Sequence, residues 1–125
     1  MRAPVRFTAR DRSMVWYQDI LDNHLDQAML RVGEVLNSAE RDDDGCLVTP
    51  TKEPRKLRFN GGQDRAYRFV YCITHRLVAT RDQVIRHRCH KRCCVNPRHL
   101  VIGDRRDNLM DEWDRQANGV DYRQL

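Results

Sequence analysis

The sequence predicts an α+β fold: a long amino-terminal helix, then a small module of short strands and helices that a metal ion holds together. Apolar residues recur about every 3.5 positions over residues 13–39, the period of a helix with one apolar side. Short β-prone runs separated by turn residues follow. Cysteines and histidines then cluster within Val84–Leu100, which indicates a metal site. We therefore divide the chain into a helical extension over residues 1–44 and a compact module over residues 45–125.

The predicted amino-terminal helix spans Ser13 to about Ala39, and the Ser13 hydroxyl is suited to cap its first turn. Its apolar side consists of Met14, Leu21, Leu25, Ala28, Val32 and Val35. Such a stripe either packs on the rest of the domain or pairs with a separate surface. Both interpretations stay open at this point: packing within the chain, or a helix that dimerises the protein or lies along DNA.

The first part of the compact module contains two short predicted strands and a helix. They follow an acidic segment, Arg41–Gly45, that no helix interior favours. Cys46–Val48 and Lys56–Phe59 have the composition of strands, and Asn60–Gly62 has that of a turn. Arg65–Val78 combines aromatic and β-branched residues with apolar residues at helical spacing, and we predict a helix there.

The second part of the module surrounds the cysteine and histidine cluster. The predicted order is a strand over 84–86, an irregular loop over 88–100, a strand over 101–103 and a helix over 104–117. Asn96-Pro97 keeps the loop from becoming helical, and His87 stands where the first strand ends. Asp104 is suited to cap the last helix, and Gly119 is suited to stop it.

Composition restricts the class of protein. The chain has 125 residues, of which 40% are hydrophobic and 33% charged, as expected for one globular domain. No apolar run approaches the roughly 20 residues that cross a bilayer, so we expect no membrane partner. The amino terminus lacks the apolar region of a signal peptide, so we expect a cytoplasmic protein (nucleoid or nuclear in a eukaryote) that is not secreted. Five cysteines, an odd number, favour metal binding over a disulfide framework.

Positive charge is concentrated around the same cluster. The formal net charge is +5, yet eight basic residues and only two acidic ones lie between Arg81 and Arg106. A compact basic field suits a polyanion, and nucleic acid is the most common one. The alternative is a solvated basic loop, but the overlap of the field with the metal-ligand spacing favours nucleic acid.

The cluster has the spacing of a zinc-binding loop. Cys89, Cys94 and His99 supply three ligands that suit a tetrahedral zinc ion. We expect the fourth to come from elsewhere, and Cys46 is our prediction. Cys93 competes with Cys94, and Cys72 competes with Cys46. Four protein ligands would make this zinc structural, with no open position for catalysis.

Two further residues indicate hydrolytic chemistry. His87, two positions before the first zinc cysteine, could be a ligand, but a neutral imidazole is also suited to take a proton from a water that attacks phosphorus. Phosphodiester hydrolysis also uses a cation that neutralises charge on the leaving oxygen. The amide oxygen of Asn108 is a suitable Mg²⁺ ligand nine residues after His99, and Mn²⁺ could substitute for Mg²⁺.

This pattern, from His87 through Cys89, Cys94 and His99 to Asn108, resembles the His-Cys box of the His-Me finger (ββα-metal) endonucleases. It is most similar to the HNH-like homing endonucleases with a zinc-binding loop, and the similarity covers about residues 46–113. The resemblance implies a ββα-metal module whose structural zinc is held by Cys46, Cys89, Cys94 and His99. It implies that His87 activates water and that Asn108 binds the catalytic Mg²⁺.

The resemblance also implies that Arg68 contacts the phosphate near the cut. The family commonly has His before that arginine, where this chain has Tyr67, and Thr where this chain has Asp104. Neither departure removes a catalytic group. The first 40 residues have no counterpart in the family, so their role is open.

Double-stranded DNA is the partner that these features favour. The candidate DNA-binding residues are Arg55, Lys56, Arg58, Arg86, Arg88, Lys91, Arg92 and Arg98, most of which we expect to contact phosphates. Since one chain supplies one candidate active site, a duplex cut would need a homodimer, whereas a monomer would nick. The alternative is a non-catalytic zinc-stabilised regulator that binds nucleic acid, and an RNA-directed nuclease would share the same chemistry.

Overall fold

The described part of the chain contains three helices and three two-stranded antiparallel sheets, followed by a fourth helix near the carboxy terminus. The computed structural model describes residues 11–122 and 125, without the side chain of Asn108. The elements are α1 (Arg12–Asn23), α2 (Leu25–Ser38), β1 (Glu40–Arg41), β2 (Leu47–Val48), β3 (Lys56–Phe59), β4 (Gly62–Arg65), α3 (Ala66–His75), β5 (Val84–His87), a 3₁₀ turn (Pro97–His99), β6 (Leu100–Gly103) and α4 (Arg105–Asn118). The predicted α+β class is confirmed. Within the described residues, no helix has the length and apolar character needed to cross a membrane.

The prediction of one long amino-terminal helix is wrong, because the chain leaves the helical conformation at His24 and forms α1 and α2 instead. At His24 the backbone has φ −137° and ψ 25°, and its N–H donates to the Ile20 carbonyl, which closes the last turn of α1. The break lets each helix bury its own face: Tyr17 and Ile20 in α1, and Ala28, Val32 and Val35 in α2.

The cap of the first helix is also different from the prediction. Asp11 is the N-cap of α1, and its carboxylate accepts a hydrogen bond from the Met14 N–H at 3.1 Å. Ser13 lies inside the helix, and its hydroxyl donates to the Ala79 carbonyl at 3.4 Å. Residues 1–10 of the predicted extension lie outside the described residues.

Helix α3 is the centre of the hydrophobic core. Phe69, Val70, Cys72 and Ile73 are fully buried and pack with the buried faces of α1 and α2 in one cluster. The apolar stripe of α2 is therefore used within the chain. The described part of the amino-terminal extension and the start of the compact module share this core.

Strands β3 and β4 form a tight hairpin whose two-residue turn is Asn60-Gly61. Both turn residues have positive φ, 48° and 75°, as a type I′ turn requires. The hairpin lies against α1, where the Trp16 indole N–H donates to the Phe59 carbonyl at 2.9 Å. The first residue of β4, Gly62, faces the same ring, and a Cβ atom there would lie 2.7 Å from Trp16 Nε1.

The carboxy-terminal part of the module is a hairpin followed by a helix. Strands β5 and β6 pair antiparallel from Val84 opposite Gly103 to His87 opposite Leu100, and α4 packs against both strands. Asp104 caps α4 in a capping box with Asp107, and Gly119 ends the helix, as predicted. The loop between the strands turns back to β2, where the Val95 N–H donates to the Leu47 carbonyl at 2.7 Å. This contact brings the segment around Cys46 next to the cysteine-rich loop.

Candidate metal centre and adjoining cleft

Three cysteines and one histidine come together where the loop meets β2. Their candidate ligand atoms, from Cys46, Cys89, Cys94 and His99, all lie within 4.8 Å of one another, and all four residues are buried. These are the four residues that the sequence predicted. A buried Cys₃His cluster of this kind could hold a metal ion such as zinc.

The distances between ligand atoms test whether such an ion fits. His99 Nδ1 lies 3.4 Å from the Cys46 sulfur and 3.7 Å from the Cys94 sulfur. A tetrahedral zinc ion at about 2.3 Å from sulfur and about 2.0 Å from nitrogen separates such atoms by about 3.5 Å. The two distances therefore fit an ion between the ligands, with Nδ1 as the ligand atom of His99.

Hydrogen bonds between side chains and the backbone fix the two chain segments that carry the ligands. The Asp42 carboxylate accepts from the Cys46 N–H at 2.9 Å, and the Asn96 side chain donates to the Gly45 carbonyl at 2.8 Å. Gly45 has φ +83° and lies beside the His99 ring, so a side chain at this position would be strained. Because polar partners outside the cluster hold both segments, the ligand positions do not depend on hydrophobic packing alone.

Electrostatics favour a cation at the centre of the cluster. Burial raises the pKa of Cys46 to about 11, and the nearby charge of Cys94 adds to this effect. A hydrogen bond from the Cys89 thiol lowers the pKa of Cys94 to about 5. Three buried sulfur atoms this close cannot all ionise unless a cation compensates their charge. The donor set thus fits a bound divalent ion that prefers thiolates and imidazole, for which zinc is the usual choice.

The other two cysteines lie outside the cluster. Cys72 is buried in the core on α3, where burial raises the pKa of its thiol to about 11. The thiol of Cys93 donates to the Thr51 carbonyl at 3.4 Å, away from the ligands. The structure therefore selects Cys46 and Cys94 from the alternatives that the sequence left open.

His87 is beside the cluster and is not one of its ligands. Its Nε2 atom lies 3.1 Å from the carbonyl oxygen of the ligand Cys94, and its ring packs on Tyr67 with centroids 4.3 Å apart. Burial lowers the pKa of His87 to about 4, so the imidazole is neutral at neutral pH. Because a carbonyl only accepts, Nε2 carries the proton and Nδ1 has a free lone pair.

A cleft of about 500 Å³ opens over His87. His90, Glu112 and Arg115 also line it, and Glu112 lies 3.5 Å from His90 Nδ1 and pairs with Arg115.

Asn108 lies one helical turn before Glu112 on α4, so the two positions share one face of that helix. The side chain of Asn108, the predicted Mg²⁺ ligand, is outside the described atoms.

Arg68 has a full set of partners within the chain. Its two terminal nitrogens donate to the Gln83 and Thr80 carbonyls at 2.6 Å each, and its Nε lies 3.1 Å from the Asp64 carboxylate. Only 13% of this side chain is exposed. These contacts hold the segment before β5 against α3. The contact of Arg68 with a substrate phosphate stays a prediction.

The predicted DNA-binding residues fall into three groups. Lys56 and Arg58 project from the exposed face of the hairpin, and Arg55 beside them donates to the Ser38 hydroxyl. Those with acidic partners within the chain are Arg86 with Asp111, Lys91 with Asp42 and Asp44, and Arg92 with Glu53. Arg88 and Arg98 are exposed on the loop. Part of the basic field is thus neutralised within the chain.

The acidic segment before Cys46 has a role that the sequence interpretation missed. Lys91 lies 2.7 Å from the carboxylates of both Asp42 and Asp44, which ties the cysteine-rich loop to the β1–β2 turn. Hydrogen bonds from Lys91 and from the backbone N–H groups of Cys46 and Asp44 outweigh desolvation and lower the pKa of Asp42. The signal in the sequence was the run of three aspartates, Asp42–Asp44, that one glycine separates from Cys46.

Comparison with known proteins gives no information about the function of this chain. No protein-family model, curated protein or solved structure matches this chain. What the site does is therefore inferred from the chemistry of its own residues and from their arrangement around His87.

Proposed function

We propose that this chain is a Mg²⁺-dependent DNA endonuclease of the His-Me finger class, with a ββα-metal module that spans β5, β6 and α4. One observation carries the proposal: the neutral imidazole of His87 contacts a carbonyl of the cysteine-rich loop and lines a basic cleft. A half-buried, oriented histidine beside arginines suits proton transfer at a phosphodiester.

His87 acts as the general base. Its Nε2–H donates a hydrogen bond to the Cys94 carbonyl, so Nδ1 is the atom that accepts the proton of the water that attacks phosphorus. Contact with Tyr67 fixes the ring plane, which keeps Nδ1 at one orientation. The low basicity that burial gives His87 leaves it unprotonated, and therefore able to accept a proton, throughout the neutral pH range.

The metal centre has a supporting role in this mechanism. Cys94 provides a sulfur to the cluster and a carbonyl oxygen to His87, so the loop that binds zinc also orients the base. With four protein ligands, a zinc ion held by this cluster would be structural and would not act on the substrate.

Asn108 is the proposed ligand of a separate Mg²⁺ ion. Its position on α4 is one turn before Glu112, which lines the cleft with His87. The chemistry that Mg²⁺ supplies there is neutralisation of the charge that develops on the leaving 3′-oxygen, and Mn²⁺ can substitute. Arg92 and Arg115 also line the cleft and add positive charge around the substrate phosphate.

The hairpin of β3 and β4 is the proposed contact with the duplex. Lys56, Arg58, Gln63 and Arg65 alternate outward along its two strands, while Leu57 is buried beneath. A two-stranded ribbon with outward cations and an amide fits the major groove of DNA. One active site per chain leaves two modes of cutting: paired cuts by a homodimer or nicks by a monomer.

A plasmid assay tests the proposal. Supercoiled DNA is incubated with the protein and Mg²⁺, with EDTA as the blank, and with the His87→Gln variant. Glutamine keeps a donor for the Cys94 carbonyl but has no basic nitrogen, so cleavage should fall by about 100-fold or more. His75→Ala, at an exposed histidine at the end of α3, is the matched control and should cut at the normal rate.

The outcomes distinguish the two candidate functions. Nicked or linear plasmid that depends on both Mg²⁺ and His87 supports the endonuclease. Binding without any cleavage would instead identify a zinc-stabilised regulator. Normal cleavage by His87→Gln would remove His87 as the base, provided that both proteins carry the same amount of zinc.

A further inference from the structure

A second cleft, of about 650 Å³, lies next to the one that contains His87. It is bounded by α1, by the hairpin of β3 and β4, and by the segment before β5. The two clefts share a wall formed by Arg65, Tyr67, Val84 and Ile85. We call the two adjoining clefts, which extend from His87 to the amino-terminal end of α1, the trough.

The trough is lined by much more positive than negative charge. Its arginines are Arg12, Arg65, Arg68, Arg81, Arg92 and Arg115. Its only acidic lining residues among those described are Asp64 and Glu112, and Asp64 is held by the Tyr17 hydroxyl and by Arg68. Neither carboxylate pairs with the arginines at the far end, where the Asp11 carboxylate accepts from the backbone N–H groups of Met14 and Arg81.

Three of these arginines can use their positive charge to bind a ligand. Arg12, Arg65 and Arg81 are exposed, and no acidic side chain among the described residues forms an ion pair with any of them. They come from three different elements: α1, the end of β4 and the segment before β5. Cations from separate elements that line one open trough suit an extended polyanion, since a compact anion would need them to converge on one point.

We propose that the cleft beside α1 binds the sugar–phosphate backbone of the substrate DNA to one side of the cut bond, with Arg12 and Arg81 as phosphate contacts. This inference rests on the proposed function, because His87 then places the reacting phosphate in the adjoining cleft. It makes α1 a part of the substrate site as well as a support for the core.

Salt dependence of binding tests the inference without cleavage. A fluorescein-labelled duplex is titrated in EDTA with the unsubstituted protein and with the double variant Arg12→Ala/Arg81→Ala, at several salt concentrations. Each phosphate contact contributes about 0.9 to the slope of log affinity against log salt concentration, so the slope should fall by about 2. The matched control, Arg31→Ala/Arg41→Ala, removes the same charge from one half-buried and one exposed position, and neither residue lines a cleft.

The results separate this inference from the proposed function. A slope that falls only in the Arg12/Arg81 variant supports the backbone contact, and if such a protein never cuts DNA, it is the proposed function that fails. The same slope in that variant and in the control overturns it, even if the protein is an active endonuclease. Absence of duplex binding by the unsubstituted protein also overturns it. Equal melting temperatures of the two double variants show that a change in slope is not a change in folding.

Discussion

The His87 imidazole and the Cys94 backbone are joined by a 3.1 Å contact between Nε2 and the carbonyl oxygen. Cys94 is at the same time a member of the buried Cys₃His cluster. The orientation of the candidate base is therefore coupled to the metal centre through a single residue. Metal binding should consequently affect both the stability of the fold and the reactivity of His87.

Substitution of a metal ligand tests this coupling. Cys94→Ala should remove the bound metal and lower the melting temperature by more than about 10 °C, since an irregular loop then loses the ion that orders it. Cleavage should fall with it, because the carbonyl that orients His87 is no longer fixed. Metal content by mass spectrometry and melting by circular dichroism measure the effects.

Cys93→Ala is the matched control for that experiment, since Cys93 is the adjacent residue and lies outside the cluster. It should keep the metal and most of the stability. If Cys94→Ala retained a full equivalent of zinc and the normal melting temperature, the ligand assignment would be wrong.

Glycine substitutions test the contact between α1 and the hairpin. Gly62→Ala places a Cβ atom 2.7 Å from Trp16 Nε1, and the indole must move away from the Phe59 carbonyl to make room. We expect a loss of about 1–3 kcal/mol in the free energy of unfolding. Gly33→Ala, in α2 with open space around it, should instead stabilise by about 1 kcal/mol. Urea denaturation measures the free energy of unfolding of both variants. If both were destabilised or both stabilised, the packing around these two glycines would be contradicted.

The elements that the sequence predicted correctly are those whose signals are local. Asp104 and Gly119 bound α4 because a capping box and a terminal glycine are short-range features. The ligands Cys89, Cys94 and His99 lie close together in sequence, so their spacing alone indicated the site. The order of strand, loop, strand and helix in this region followed from the same local signals.

The features that the sequence did not predict depend on tertiary contacts. Strand β4 has the polar sequence Gly62–Arg65, which lacks the pattern of a strand, and it becomes a strand only by pairing with β3. The break at His24 has no proline or glycine to mark it, and it lets α1 and α2 bury different faces. Likewise, the ion pair of Arg86 with Asp111 forms only when α4 packs on β5, so the charge pattern alone overstated the basic field.

Stability at alkaline pH should depend on Tyr17. Its hydroxyl donates to the Asp64 carboxylate at 2.7 Å in the core, and burial raises the pKa of Tyr17 above its ordinary value of about 10. The folded state therefore keeps a proton that the unfolded state loses above about pH 10, so stability is complete below that pH and falls as the pH rises. Tyr17→Phe should reduce this alkaline loss, as measured by urea denaturation at pH values on both sides of 10. An unchanged pH dependence would exclude Tyr17 as its source.

The Arg68→Ala variant tests whether Arg68 stabilises the fold or contacts the substrate. In the folded chain its guanidinium binds the Thr80 and Gln83 carbonyls and the Asp64 carboxylate. Removing it leaves those acceptors unpaired, so we expect a loss of about 3 kcal/mol in the free energy of unfolding. Arg68→Lys keeps the charge but not the planar fork, and should be destabilised to an intermediate degree. If both variants melt normally while cleavage is lost, Arg68 serves the substrate phosphate, as the family resemblance implies, and the contacts with Thr80 and Gln83 contribute little to the fold.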